Sequence, residues 1–219
     1  MYTLFYAPTP NGHKVTLMLE ALGVDYRLIP INIRLNDQFL PSFLELAPNN
    51  RIPVLVDEEE GISVFESGAI LTYLAEKYLA FLPESGPERY EVLQWLNWQM
   101  GGLGPMAGQN HHFNLYAPEV VPYGIKRYTE ETHRLYGVLN QQLTGQDYVA
   151  GDYSIADMAI FPWVRPHVQQ QQDIALFPHI ARYLDTMNAR ADVQAALAKG
   201  EHFDWEASLT DEQLQRLLA

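Results

Sequence analysis

The chain contains no cysteine. That absence excludes disulfide staples, cysteine-containing metal sites and a protein thiol acting as nucleophile or redox centre. Basic residues are also scarce: 14 lysines and arginines stand against 27 aspartates and glutamates, for a formal net charge of −13 at pH 7. Non-specific binding to nucleic acid or to an anionic membrane needs a basic surface, so neither partner fits. An anionic ligand would need a local basic pocket set against an unfavourable overall field. No apolar run approaches the roughly 20 residues of a membrane span, and no charged-then-apolar leader opens the sequence. A cytoplasmic location is the default expectation.

What remains is globular in character. With 47% apolar and 19% charged residues over 219 positions, the chain has ample material for one large domain or two small ones. The first third alternates strand and helix. Tyr2–Tyr6 is a short β-rich run and Val15–Leu22 reads as a helix. Asp25–Ile31 and Arg51–Val56 read as strands, with a short helix between them from Phe39 to Leu46. Glu58–Gly61 turns into a last strand at Ile62–Phe65, followed by a helix from Glu66 to Tyr78. This order is a small α/β unit with a mixed sheet.

The breaker-rich stretch Leu82–Pro87 is the natural boundary, giving domains 1–82 and 88–219. Beyond it the strand signal vanishes and helical spacing takes over, first at Val92, Trp95, Leu96, Gln99 and Met100, then from Val121 to Leu143. Ser154-Ile155-Ala156-Asp157 is a capping box that opens a nearly all-apolar helix, the expected buried centre of this domain. Helices over Pro178–Ala189 and Asp192–Lys199 follow, and Thr210-Asp211-Glu212-Gln213 repeats the capping pattern before a terminal helix. Gln169–Gln172 reads as a solvated helix end, and the tryptophans Trp95, Trp98 and Trp163 as core.

Three stretches carry chemistry. The turn Ala7-Pro8-Thr9-Pro10-Asn11-Gly12-His13-Lys14 joins strand to helix, so it directs backbone N–H groups and small polar side chains into a crevice; Asn11 suits the N-cap. An ordinary capped loop is the plainer reading. In Asn49-Asn50-Arg51-Ile52-Pro53, a proline opens a central strand. A cis Ile52–Pro53 bond, with the Ile52 backbone left to pair with a peptide-like ligand, and an unexceptional trans proline both fit. In Phe65-Glu66-Ser67-Gly68-Ala69-Ile70, Ser67 and nearby N–H groups can hold a carboxylate while Glu66 holds an ammonium, a pairing suited to an amino-acid zwitterion. A capping pair that merely starts a helix is the alternative. Adjacent His111 and His112 point about 100° apart on a helix, with no carboxylate at helical spacing, so no metal site is expected.

Taken together, these stretches resemble the glutathione transferase family, in which a thioredoxin-like domain precedes an all-helical domain. The likeness spans essentially the whole chain. Together with Gly101-Gly102-Leu103-Gly104-Pro105-Met106 and Gly108–Phe113, the stretches look most like the bacterial nu class, whose members reduce disulfides with glutathione and show little conjugating activity. The resemblance implies glutathione as cosubstrate, no metal, a small disulfide or electrophile as partner, and a homodimer. It further implies that Ile52 pairs its backbone with the cysteinyl unit, that Glu66 and Ser67 hold the γ-glutamyl end, and that Gln38 reaches polar groups of the tripeptide. Thr9 and Asn11 face the sulfur as the catalytic pair, and Arg127 holds a second glutathione or the other half of glutathione disulfide. Many relatives activate the thiol with Tyr, Ser or Cys at the first turn. Tyr6 is not assigned that role here; it reads as a strand aromatic facing the core. Conjugation to electrophiles, peroxide reduction and a non-catalytic binding module are the rival functions.

Overall fold

The structure, a computed structural model, describes residues 1–218. By its internal contacts the chain forms two units. The first comprises Met1–Tyr78 together with the segment from Asp192 onward, and the second Leu79–Ala191.

The first unit is built on a four-stranded sheet of order β2-β1-β3-β4. Its strands are β1 (Tyr2–Tyr6), β2 (Tyr26–Pro30), β3 (Val54–Asp57) and β4 (Ile62–Phe65). β1 runs parallel to β2 and antiparallel to β3, and β3 runs antiparallel to β4. Helices α1 (Pro10–Leu22), α2 (Pro41–Leu46) and α3 (Ser67–Tyr78) complete the α/β layer expected from the sequence. A 3-10 turn at Asp37–Phe39 and Pro41 delay the start of α2 relative to the apolar pattern. Proline at the first helical position sets φ without forfeiting a hydrogen bond.

The last residues do not join the helical domain, as a single 88–219 unit would require. Helix α9 (Ala191–Leu197) and terminal helix α10 (Asp211–Leu218) instead accompany the sheet. Leu214 of α10 enters the core cluster of Phe5, Ile29, Ile31, Phe43, Ala47 and Val54, with Leu209 and Leu217 packed against it. Polar bonds fix the register: Ser42 N–H donates to Asp211 Oδ1 at 2.9 Å and the Arg27 guanidinium to the Leu217 carbonyl at 2.7 Å. The capping pattern at Thr210 is present, with Thr210 N–H on Gln213 Oε1 and Gln213 N–H on Thr210 Oγ1. An amphipathic terminal helix needs an apolar surface to cover, and the first unit supplies it.

The second unit is all helical: α4 (Pro87–Trp98), α5 (Gly104–His111), α6 (Pro122–Gln142), α7 (Ile155–Val164) and α8 (Pro178–Asn188). Single π-helical segments at Gln99–Leu103 and His112–Tyr116 flank α5. All ten residues of α7 are buried, as its apolar run implies, and the capping box forms: Asp157 accepts from the backbone of Val149 and Ser154 while Ser154 Oγ accepts from Ala156. Trp163 is buried; Trp95 and Trp98 are half-buried and pack edge-on to each other.

The glutamine run departs from expectation. Gln170 and Gln172 are buried rather than solvated. Gln170 donates to the Trp163 carbonyl and accepts from the Tyr136 hydroxyl, and its own carbonyl accepts from Asn110 and Gln172. Buried polar groups persist only when hydrogen-bonded, and each of these side chains satisfies the next.

Candidate active site

Strand register gathers the candidate residues at one end of the sheet. Phe5 of β1 lies opposite Val54 of β3, which lies opposite Phe65 of β4, and Tyr6 neighbours Pro30 of β2. The end of β1, the end of β2, the start of β3 and the end of β4 therefore share one edge. The turns leaving that edge carry Thr9 and Asn11, Gln38, Ile52, and Glu66 with Ser67. Ligands of open α/β sheets bind beyond such strand ends, where helix N-termini converge. Six of the seven residues singled out in the sequence are thus brought to one place in the first unit.

At the first turn the cap is Thr9, not Asn11. Thr9 is extended, with φ of −113°, and its Oγ accepts from Gly12 N–H at 3.2 Å. Pro10, locked near helical φ, is the first helical residue and displaces the cap by two positions. Asn11 is the second residue of α1, beside the helix start. The Thr9 oxygen is committed to the cap, which leaves its O–H able to donate outward. Gly12 is required by close approach: a Cβ there would lie 2.2 Å from the Ala7 carbonyl oxygen and 3.0 Å from the Tyr6 ring.

Tyr6 is fully buried, its hydroxyl 3.1 Å from the Lys199 carbonyl and 3.3 Å from His13 Nδ1. Burial pushes its phenol well above the usual tyrosine range. A phenol so enclosed is a core group.

The Ile52–Pro53 bond is cis, and Pro53 precedes β3 rather than lying within it. Among the described residues the Ile52 backbone takes no hydrogen-bond partner. A half-buried N–H and C=O left in this state beside a strand start can pair with an extended peptide. Gln38 is 9% exposed; its Nε2 donates to the Ile33 carbonyl at 3.3 Å, and its buried Oε1 has no partner among the described residues. Glu66 has a φ of 70°, which turns the chain from β4 into α3, and Asn49 Nδ2 reaches its carboxylate at 3.5 Å.

One participant escaped sequence reasoning. Lys14, in the first turns of α1, is 1% exposed, and its Nζ donates to Ser67 Oγ at 3.3 Å, tying the start of α1 to the start of α3. Burial lowers its pKa to about 7, with the Glu66 carboxylate opposing the shift. The signal was a lysine amid an apolar helical run, Val15–Leu19, at a spacing that turns it inward.

Arg127 belongs to the second unit. It lies on α6 and lines a cavity of about 640 Å³ with Met106, Tyr123, Lys126, Glu131 and Arg134. Arg134 pairs bidentately with Glu131 at 2.8 and 2.6 Å and holds that carboxyl below its usual range, while Lys126 reaches Glu130 at 3.9 Å. Arg127 makes no ion pair among the described residues, though its charge helps hold the Glu131 carboxyl low, and it presents a cation to this cavity. No group of three or more His, Asp or Glu is placed to hold a metal ion among the described residues; His111 instead stacks on Trp163 at 6.3 Å. No helix is long and apolar enough to cross a membrane among the described residues.

Comparison with known proteins agrees with this geometry. Residues 1–76 match the model for the glutathione S-transferase N-terminal domain, and residues 125–191 the model for the C-terminal domain. The chain is 49% identical over 207 residues to the disulfide-bond oxidoreductase YfcG of Escherichia coli (strain K12), spanning 92% of this chain and 96% of that protein. A glutathione transferase family member from Pseudomonas fluorescens pf-5, solved with two glutathione bound, is 40% identical with a TM-score of 0.84, covering 90% of this chain and 92% of its own. A glutathione transferase from Pseudomonas putida, with one glutathione disulfide bound per subunit, is 41% identical with a TM-score of 0.85, covering 91% of each chain. With both halves matched and near-full-length relatives at this identity, the chain belongs to the glutathione S-transferase family.

Proposed function

We propose that this protein is a glutathione-dependent disulfide reductase of the bacterial nu type. The observation that carries the reading is the unpaired Ile52 backbone, flanked on the same sheet edge by the Thr9–Asn11 turn and by Ser67, in a chain without any thiol. Ile52 pairs with the cysteinyl unit of glutathione, Glu66 and Ser67 hold the γ-glutamyl zwitterion, and Gln38 Oε1 accepts from the tripeptide. The similar Escherichia coli protein is a disulfide-bond oxidoreductase, and the Pseudomonas relatives hold two glutathione or one glutathione disulfide.

The chemistry follows from thiol exchange. A thiolate attacks a disulfide sulfur, and a free thiol with pKa near ~8.5 is only partly ionised at neutral pH. Donation from the Thr9 hydroxyl and the Asn11 amide, together with the start of α1, favours the thiolate. One charge-assisted bond confined to the thiolate contributes about 1.5–3 kcal/mol, or roughly one to two pKa units. Because the chain has no thiol, both reducing equivalents come from glutathione. The first thiolate forms a mixed disulfide with the substrate and expels one thiol. The second glutathione, held by Arg127, then resolves it. Two glutathiones and one disulfide become glutathione disulfide and two thiols. Proximity supplies most of the rate.

A reaction driven by reduced glutathione needs a reducing compartment, which favours the cytoplasm. A homodimer is the assembly proposed from the family. Edge strand β4 exposes Ile62 and Phe65, an apolar edge that self-association would cover. The test sets reduction of a small aliphatic disulfide, coupled to glutathione, beside conjugation of an aryl halide. Strong conjugation with no reduction overturns the proposal, and failure to bind glutathione or its disulfide at millimolar concentration favours a non-catalytic module.

A further inference from the structure

The mechanism above leaves the buried Lys14 unused. Lys14 is nearly inaccessible, yet its nitrogen sits 3.3 Å from the hydroxyl of Ser67, the residue assigned to the glutamyl carboxylate. An ammonium in an apolar interior is costly to keep unless it serves a nearby anion. We propose that Lys14 is a positioning residue of the γ-glutamyl subsite: from beneath Ser67 it supplies the positive charge that the ligand carboxylate meets, and it takes up a proton when that carboxylate docks. This rests on the placement of the glutamyl end at Glu66 and Ser67.

The surroundings support that assignment. Glu66, just before α3, is a charged group whose field reaches Lys14. On its own helix, His13 turns toward the Tyr6 hydroxyl, and Glu20 is paired with Lys199 of the terminal segment at 2.9 Å. Tyr6 at the end of β1, whose ring lies beside Gly12 of the same helix, is a neutral phenol. Glu66 is on the exposed side of Ser67 and Lys14 on the buried side. A zwitterion therefore has a defined orientation, its ammonium outward at Glu66 and its carboxylate inward over Ser67 and Lys14. An inward carboxylate is felt strongly across low-dielectric protein, whereas the outward ammonium is screened by water. The free site holds Lys14 near half-protonated at neutral pH, since burial draws its pKa to about 7, and a docked anion drives it to full protonation.

The experiment is calorimetric titration of the intact protein with S-methylglutathione, whose capped sulfur cannot release a proton. Titrations at pH 7.5 use two buffers of different ionisation enthalpy. The expected result is uptake of roughly half a proton or more per bound ligand, with affinity falling several-fold between pH 6.5 and 8. Lys14→Met and Lys14→Gln should abolish the uptake, flatten the pH dependence and weaken binding about tenfold at pH 6.5. Tight binding without proton uptake overturns the role of Lys14 while leaving the proposed function standing. Uptake that survives in either variant assigns the proton elsewhere and also overturns it. Absence of any binding overturns both readings. The wild-type titration decides against the proposal by itself, should neither variant fold.

Discussion

The hydroxyl of Tyr6 donates to the carbonyl of Lys199 at 3.1 Å, a bond that spans 193 residues of chain. It holds the phenol at the end of β1 in the core. Tyr6→Phe should therefore keep disulfide reduction within about threefold of wild type while costing about 1 kcal/mol of stability for the lost bond. Turnover and a urea midpoint on the same preparation check both halves. A loss of turnover beyond tenfold would return the tyrosine to the mechanism.

Asn11 stands at the start of α1, and its proposed role is donation to the thiolate rather than binding of the tripeptide backbone. Asn11→Ala should lower kcat/KM for a small disulfide by about ten- to a hundredfold, the equivalent of one charge-assisted bond. Glutathione affinity measured by calorimetry should change less than about threefold. Equal activity in the variant removes Asn11 from the sulfur.

Arg127 forms no ion pair among the described residues, although the Glu131 carboxyl in the same cavity feels its charge. Arg127→Ala should weaken the second glutathione by about tenfold or more and the first by less than about threefold, since a charge-assisted bond to a carboxylate contributes about 1.5–3 kcal/mol. Calorimetry with glutathione and with glutathione disulfide resolves the two events. Unchanged stoichiometry and affinity would count against the assignment.

Lys14 also makes a statement about folding. Its pKa falls from the ordinary lysine value of 10.5 to about 7 on burial, so between these values the unfolded chain binds the proton more tightly than the folded one. Stability then rises with pH across that window, and the penalty is fully present below pH 7. Lys14→Met should remove this slope and stabilise the protein at pH 7 by on the order of 2–5 kcal/mol. Urea unfolding of both proteins at pH 7 and pH 9 measures the difference; a variant less stable at pH 7 contradicts it. Gaining stability while losing glutathione affinity would mark the lysine as retained for the ligand.

The strand-and-turn pattern made most of the site legible in advance. Alternating apolar runs located the strands, and Pro, Gly and Asn located the turns that leave them, so the residues at one sheet edge could be named without coordinates. What escaped depended on three-dimensional context. The cap fell on Thr9 because Pro10 could occupy the first helical position, a choice that Asn11 and Thr9 satisfy equally on paper. Gln170 and Gln172 look like solvent-facing residues in a linear reading; their burial becomes affordable only because Asn110, Tyr136 and the Trp163 carbonyl, far apart in sequence, converge on them. Lys14 lies within the first motif but carries no role in a linear reading, since a lysine is by default a solvated residue. Its partner Ser67 lies 53 positions away.

The return of the terminal segment to the first unit has a consequence for synthesis. Leu214 completes a core begun by Phe5, and the carbonyls of Lys199, Trp205 and Leu217 receive donors from Tyr6, Asn32 and Arg27. Synthesis is vectorial, and N-terminal units ordinarily fold first as they emerge. Here the strands of the first unit must wait for the residues from Asp192 onward, with the whole helical unit translated in between. The core of the first unit is therefore closed only after the helical unit, residues 79–191, has been made.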